Sequence, residues 1–263
     1  MKIAIGLFGL LRNTNIENSL NNLKKIINDS SNLEIDVYIC IPNLLNELDT
    51  EPIDINIFKN FNANVKLYDY SVRNMLLINK QLNYPIKINN FYPYRILSFF
   101  YGIHNLITYI NETNDYDVYI ISRFDHIEHL TIQFNLLNTI DIENNCYILR
   151  QHDARCGYTY AEDRGFIVSK KHLNIISDIY IKIVNKEYNL HSEIVPEKIL
   201  LNNLANNNIV CLIGSACSDP CPSINGVKCV LEDCLYRYEG VTVYQNKFND
   251  ELYQKINCIY NSI

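Results

Sequence analysis

The chain has no tryptophan, and methionine, glycine and proline are scarce, with 2, 8 and 7 residues among 263. So little glycine and proline excludes collagen-like and proline-rich linker architectures. An excess of positive charge is also missing. With 23 Lys and Arg against 29 Asp and Glu, the net charge is -6. That argues against a general nucleic-acid binder, because neutralising phosphates takes clustered cations. It leaves room for one nucleotide held by a few side chains and a metal. Nowhere are there the ~20 uninterrupted apolar residues of a membrane span. The opening MKIAIGLFGLLRN has Lys2 and a short apolar run, as a signal peptide does. It also contains two glycines, stops at Arg12 and lacks a small-residue cleavage site, so a first β-strand is the better reading. The expectation is a soluble, cytoplasmic protein without a transmembrane segment.

What is present is ordinary for a globular chain: 48% hydrophobic and 20% charged residues, enough for one large domain with a sizeable core. Asparagine and isoleucine are heavily used, a bias that resembles translation from an AT-rich genome. Runs such as Asn206-Asn207-Asn208 therefore carry little functional meaning. Of the 9 cysteines, seven fall into two groups. Cys40, Cys146 and Cys211 lie in apolar strand-like runs and read as small core residues. Cys217, Cys221, Cys229 and Cys234 form C-x3-C-x7-C-x4-C, which lacks the paired C-x2-C knuckles of zinc ribbons. Structural zinc, a disulfide and free thiols all remain open for that cluster.

Apolar periodicity supplies the elements. KIAIGLF (2–8) reads as a fully buried parallel strand. IENSLNNLKKIIND (16–29) places Ile16, Leu20, Leu23, Ile26 and Ile27 at helical spacing. Further strands are expected over 34–41, 63–70, 116–122, 145–151, 164–169 and 208–214. Helices are expected over 94–110, over KKHLNIISDIYIKIV and over 193–207. Strands alternating with helices predict an α/β sandwich with a mostly parallel central sheet flanked by helices. One unit spans residues 1–214. A cysteine-bearing extension, 215–263, packs on the same domain and holds a possible hairpin strand at 240–246.

In such sheets ligands bind beyond the carboxyl ends of the strands. The first strand delivers Gly6, Gly9 and Arg12 there. The fourth, YDVYIIS, runs straight into Arg123, Asp125 and His126, and charges at the tip of a buried strand cost several kcal/mol unless something pairs with them. Asp125 could hold Mg2+ or Mn2+, which prefer oxygen ligands and bridge to phosphates. An ion pair with Arg123 or a turn-forming role accounts for it equally well. The glycines could admit a ligand close to the backbone or simply form a tight turn. RQHDARCGYTYAEDRGFIVS (150–169) reads as a polar, tyrosine-rich connection between two strands, with Asp163 directly before the second. Ser192 suits a helix N-cap and Glu193 the first turn after it. His104, inside an apolar helix, reads as a satisfied core residue.

The ordered set G-x-x-R (Gly9, Arg12), D-V-Y-I (Asp36 to Ile39), Y-D-V-Y-I-I-S-R-F-D (116–125) and H-S-E (191–193) resembles GT-A-type glycosyltransferases of polysaccharide synthesis in bacteria and large DNA viruses. The likeness covers roughly residues 1–214. It implies a Rossmann-type GT-A-like fold, a nucleotide-sugar donor and a glycan or other hydroxyl acceptor. By that resemblance Asp125 coordinates Mn2+ or Mg2+ on the donor diphosphate, with His191 as a further ligand. Gly6, Gly9, Arg12 and Arg123 line the donor site, and Arg123 stands where a D-x-D motif has its first Asp. Asp163, with Asp153 and Glu193 as alternatives, becomes the base that deprotonates the acceptor. Two rivals stand beside this reading. A nucleotidyltransferase of similar fold would carry a Gly-rich basic loop with proline and lysine, both missing from GLFGLLRNTN. The other is a non-catalytic binding module with a zinc-binding tail.

Overall fold

Apolar residues on both faces of a strand suit only a strand covered on both sides. Ile3, Ala4, Ile5, Leu7 and Phe8 are all at most 1% exposed in β1 (Lys2–Phe8). The computed structural model describes residues 1–11, 16–30, 32–44, 52–59, 61–88, 92–124, 127, 130, 137, 141–153, 158–188, 199–200, 203–204, 207, 210–213, 228–229 and 250–263. In it, β1 lies between β2 (Glu34–Pro42) and β4 (Val118–Arg123), parallel to both, and β3 (Asn64–Tyr68) continues beyond β2. β4 pairs antiparallel with β6 (Tyr158–Ser169), which pairs antiparallel with β5 (Cys146–Asp153). β7 (Val210–Ile213) and β8 (Lys228–Cys229) then extend the sheet in parallel. The strand order is β3-β2-β1-β4-β6-β5-β7-β8, and only β6 runs against the other described strands.

Strand alternation sends successive side chains into two separate cores. Ile3, Ile5 and Leu7 of β1 join Val37, Ile39 and Ile41 of β2 beneath α1 (Ile16–Asp29), whose Leu20 and Leu23 face inward. Ala4, Phe8, Tyr38, Cys40, Tyr119 and Ile121 point the other way. There they meet α2 (Val72–Gln81), α3 (Pro93–Asn111), α4 (Lys170–Val184) and α5 (Asp250–Ser262). α3 is the central helix of this layer, with Leu97, Phe100, Ile103, Leu106, Ile107 and Ile110 all at most 1% exposed. The architecture is therefore α/β, with a mostly parallel sheet between helical layers.

The expected strands and helices through residue 184 are present, most within two residues of their expected limits. α2 and α5 were not anticipated, although Val72, Met75, Leu76 and Asn79 form a buried stripe at helical spacing. The larger correction concerns residues 150–169. Only 154–157 lie between strands; the rest continues β5 and β6 as a hairpin. The β-forming tendency of Tyr158-Thr159-Tyr160 outweighs the polarity that suggested a loop. Of the helix expected over 193–207, Ile199, Leu200, Asn203 and Leu204 are helical and buried. The strand expected at 240–246 lies outside the described residues, as do Cys217, Cys221 and Cys234. Cys40 and Cys146 are buried free thiols, while Cys258 on α5 is exposed. Among the described residues, no helix is long and apolar enough to cross a membrane.

Candidate functional site at the sheet switch point

The chain leaves β1 toward β2 and β3 on one side and returns to β4 on the other. The carboxyl ends of β1 and β4 therefore form a topological switch point, where departing connections diverge and leave a crevice. Register fixes what meets there: Phe8 of β1 pairs with Arg123 of β4. Gly9 follows Phe8 with φ of +104°, a conformation that L side chains rarely adopt, and a Cβ there would meet nothing within 4 Å. The turn at the tip of β1 thus needs glycine for its backbone and borders open space.

Gly6 belongs elsewhere. It lies inside β1, where a Cβ would sit 2.8 Å from both Ile121 Cδ1 and Leu106 Cδ2 and 3.1 Å from Ile110 Cδ1. Its missing side chain is explained by the close approach of α3 to the sheet, so Gly6 is not part of the loop after β1.

Arg123 ends β4 half-buried, on the strand face shared by Tyr119 and Ile121. Ser122 points to the opposite core, fully buried, and its hydroxyl donates to the Arg123 carbonyl at 3.3 Å. The segment beyond is anchored on the α1 side by Phe124, Ile127 and Leu130, which are 2% exposed or less. Phe124 also meets the Phe58 ring edge-on at 6.1 Å. Asp125 and His126 fall between two of these anchors in sequence, outside the described residues.

α3 runs back against β4, which brings its first turn over the same edge. Phe99 packs edge-on against Phe8 at 5.5 Å. Arg95, one turn earlier, therefore stands over the tip of β1. Its guanidinium lies 5.7 Å from the Tyr92 ring centroid and 6.0 Å from that of Tyr94, and its Nε donates to the Tyr94 hydroxyl at 3.2 Å. Lys87 approaches the other aromatic partner of this group, 5.7 Å from the Tyr92 centroid. Tyr70 and Ser98 close the neighbouring side through a 3.0 Å hydroxyl contact. A cation in the first turn of a helix opposes the helix dipole. That signal could have found Arg95, whereas a search for apolar periodicity passes over it.

Just beneath the edge the protein is dry. Burial pushes the Cys40 thiol up to about 12, against a smaller opposing pull from Lys66. Burial likewise raises the Tyr68 phenol well above its ordinary value. Both groups stay neutral at pH 7 and add no charge to a rim that includes Arg95, Arg123 and the exposed Asp69. The Asp69 carboxylate accepts from Asn43 at 3.3 Å. Asn43 also accepts from the Tyr70 backbone at 3.2 Å, tying the tip of β2 to the segment after β3.

On the far side of β4, the β5–β6 register breaks between Ile148 and Arg150. Ile148 opposes Phe166 and Arg150 opposes Ala161, so Leu149 alone faces the run 162–165. Gly165 of that run pairs with Ser122. Asp163 therefore occupies an irregular stretch beside the carboxyl end of β4, the kind of insertion that re-aims side chains near functional sites. Asp153 lies farther along the hairpin, paired with Tyr158. Arg12, Asp125, His191 and Glu193 lie outside the described residues, among which no group of three or more His, Cys, Asp or Glu could hold a metal ion. His104 is satisfied as expected, with its Nδ1 3.1 Å from both the Ser177 hydroxyl and carbonyl.

No family model matches the chain, and neither does any curated protein. Among solved structures it is similar to 4-diphosphocytidyl-2C-methyl-D-erythritol synthase from Anaerococcus prevotii, at 11% identity and a TM-score of 0.43. The match covers 81% of this chain and 88% of the other.

Proposed function

We propose that the chain is a glycosyltransferase that moves a sugar from a nucleoside diphosphate to a hydroxyl acceptor. The observation that carries this reading is the pairing of the two strand tips at the switch point. It sets the obligatory glycine turn at Gly9 beside Arg123, with Arg95 above β1. A backbone approach flanked by guanidinium groups suits a diphosphate, which accepts paired N–H donors. The resemblance of residues 116–125 to the donor-site strand of GT-A-type enzymes supports the same placement.

In the proposed reaction, the bond from the sugar anomeric carbon to the diphosphate oxygen breaks and its electron pair leaves with the nucleotide. The acceptor oxygen forms the new bond and its proton passes to Asp163. Glu193 and Asp153 are the other carboxylates considered for that proton. Arg123 and Arg95, with Arg12, offset the charge that builds on the departing diphosphate. Asp125 and His191 are the residues that would hold Mn2+ or Mg2+, which would add Lewis-acid stabilisation of the same oxygens.

Thermal shift with UDP- and GDP-linked sugars, with and without Mn2+, tests the assignment. At least one donor is expected to stabilise the protein, and Arg123→Gln and Asp125→Ala are each expected to weaken that shift. An Asp125→Ala protein that binds and turns over donor like the parent removes Asp125 from the site. Release of pyrophosphate from a nucleoside triphosphate, instead of nucleoside diphosphate from a donor sugar, would redirect the reading to nucleotidyl transfer.

A further inference from the structure

The connection from α2 to α3 leads to the group formed by Lys87, Tyr92 and Arg95, and near its start three other elements converge on Tyr84. This residue is 5% exposed. Its backbone N–H donates at 3.0 Å to the backbone carbonyl of Asn79, in the last turn of α2. Its carbonyl accepts from the Asn79 side-chain amide at 3.2 Å and from the Tyr260 hydroxyl of α5 at 3.1 Å. Its own hydroxyl donates at 3.2 Å to the carbonyl of Tyr188, beyond α4. The Tyr188 hydroxyl in turn donates to Asn203 Oδ1 at 2.9 Å. α5 is seated firmly at this junction: Ile256 is fully buried, and the Lys80 ammonium lies 5.6 Å from the Tyr260 ring centroid.

Stability alone does not account for the junction. Asn79 Oδ1 is buried without a hydrogen-bond partner among the described residues, although the same amide holds the carbonyls of Tyr84 and Pro85. An unsatisfied buried acceptor is destabilising, and such local violations gather where a segment must keep one position. We infer that Tyr84 is a positioning residue for the donor site, and that α5 acts on that site through the Tyr260 hydroxyl. Tyr84 works through the chain that follows it. Pro85 and Pro93 restrict the backbone at the two ends of the connection, and Ile86 packs against the core of the α3 layer. Lys87 and Arg95 each lie 5.7 Å from the Tyr92 ring centroid, so the three side chains form one group. Loosening Tyr84 lets that group shift against the Gly9 turn. The coupling runs both ways: a nucleotide that favours the ordered rim also favours α5 on its seat. The role in donor binding rests on the glycosyl-transfer reading; the convergence on Tyr84 does not.

Tyr260→Phe removes a single hydroxyl and keeps the ring that packs under Lys80. Thr113→Val serves as the comparison, because the Thr113 hydroxyl donates to Tyr38 at 2.9 Å and to the Ile110 carbonyl at 2.8 Å at the other end of the sheet. Both variants should be less stable than the parent in denaturant unfolding. Binding of UDP and of GDP, each with and without Mn2+, is to be measured by calorimetry where all three proteins are fully folded. Tyr260→Phe should weaken the nucleotide that the parent binds about fivefold, the order of one hydrogen bond lost. Thr113→Val should leave it within about twofold. Hydrogen exchange supplies a second reading: nucleotide should slow exchange across α5 in the parent about fivefold, and by less in Tyr260→Phe. Tyr260→Phe binding as tightly as the parent, with α5 exchange indifferent to nucleotide, overturns the inference and leaves the donor reading standing. A Thr113→Val loss equal to that of Tyr260→Phe overturns it too, since general destabilisation would then suffice. A parent that binds neither nucleotide removes the donor reading and this role together.

Discussion

At the scale of single residues, Gly6 and Gly9 show how one residue type serves opposite physical needs. Gly6 has ordinary backbone geometry but no room, since a methyl group would press on the ends of Ile121 and Leu106. Gly9 has room but a φ of +104°. Gly6→Ala is therefore expected to lower stability by about 1–3 kcal/mol through overpacking, with nucleotide binding unchanged in the folded protein. Gly9→Ala is expected to cost a comparable ~1–3 kcal/mol of local strain, relieved by moving the turn, and so to weaken the nucleotide-induced thermal shift. Denaturant unfolding and nucleotide titration of both variants check this. If Gly9→Ala binds nucleotide like the parent, the turn is not part of the donor site. The sequence alone could not separate the two glycines, because spacing reports neither φ nor overhead packing. Gly9 and Arg123 were legible because each sits at the end of an unmistakable apolar run. Arg95 was not, because its position depends on which end of a buried helix meets which end of the sheet.

Elements were legible where their apolar pattern was continuous and hidden where polar residues interrupt it. α2 illustrates the second case. Asn79 takes the fourth position of its buried stripe and is fully buried. Its side-chain amide donates to the carbonyls of Tyr84 and Pro85, both at 3.2 Å, and its backbone carbonyl accepts from the Tyr84 N–H at 3.0 Å. Asn83, at φ of 61°, makes the left-handed turn between them. A residue that looks like a break in the stripe is thus the clamp that ends the helix. Asn79→Ala should destabilise the fold by about 1 kcal/mol, because the Tyr84 and Pro85 carbonyls each lose a donor, although Tyr84 keeps the Tyr260 hydroxyl at 3.1 Å. Asn79→Leu should do no better despite its apolar gain. Equal stability of either variant and the parent in denaturant unfolding would show that the clamp contributes nothing. The β5–β6 hairpin was hidden for a related reason: its outer half is mostly polar in sequence, and only the register reveals it as strand.

For the molecule as a whole, the two ends of the sheet carry different chemistry. At the carboxyl end lie Lys87, Arg95 and Arg123 around the switch point. At the amino end Lys2 meets Glu34 at 3.5 Å and Asp36 at 3.9 Å, and Tyr116 donates to Asp36 at 2.7 Å while contacting the Tyr38 hydroxyl. Lys170 pairs with Asp115 on the same edge. In a chain of net charge -6, cations thus stand beside the exposed Asp69 where an anionic ligand is proposed, and charge is paired at the amino end. His172 lies at that amino end, 4% exposed in the first turn of α4, with Nδ1 3.4 Å from the Ser169 hydroxyl. Burial, assisted by the nearby Lys171 charge, lowers its pKa below the ordinary 6.5. The unfolded chain then takes up a proton that the folded chain resists, so stability falls as pH drops. The loss begins near 6.5 and continues down to the lowered folded value. His172→Gln keeps a polar side chain but cannot titrate. Unfolding curves between pH 7.5 and 5, on the order of the histidine range, should show a shallower acid-side decline for His172→Gln than for the parent. The carboxylates titrate in both proteins, so the difference between the two curves isolates this residue. Parallel curves would mean that His172 binds its proton equally well folded and unfolded, and that burial at the start of α4 costs the imidazolium nothing.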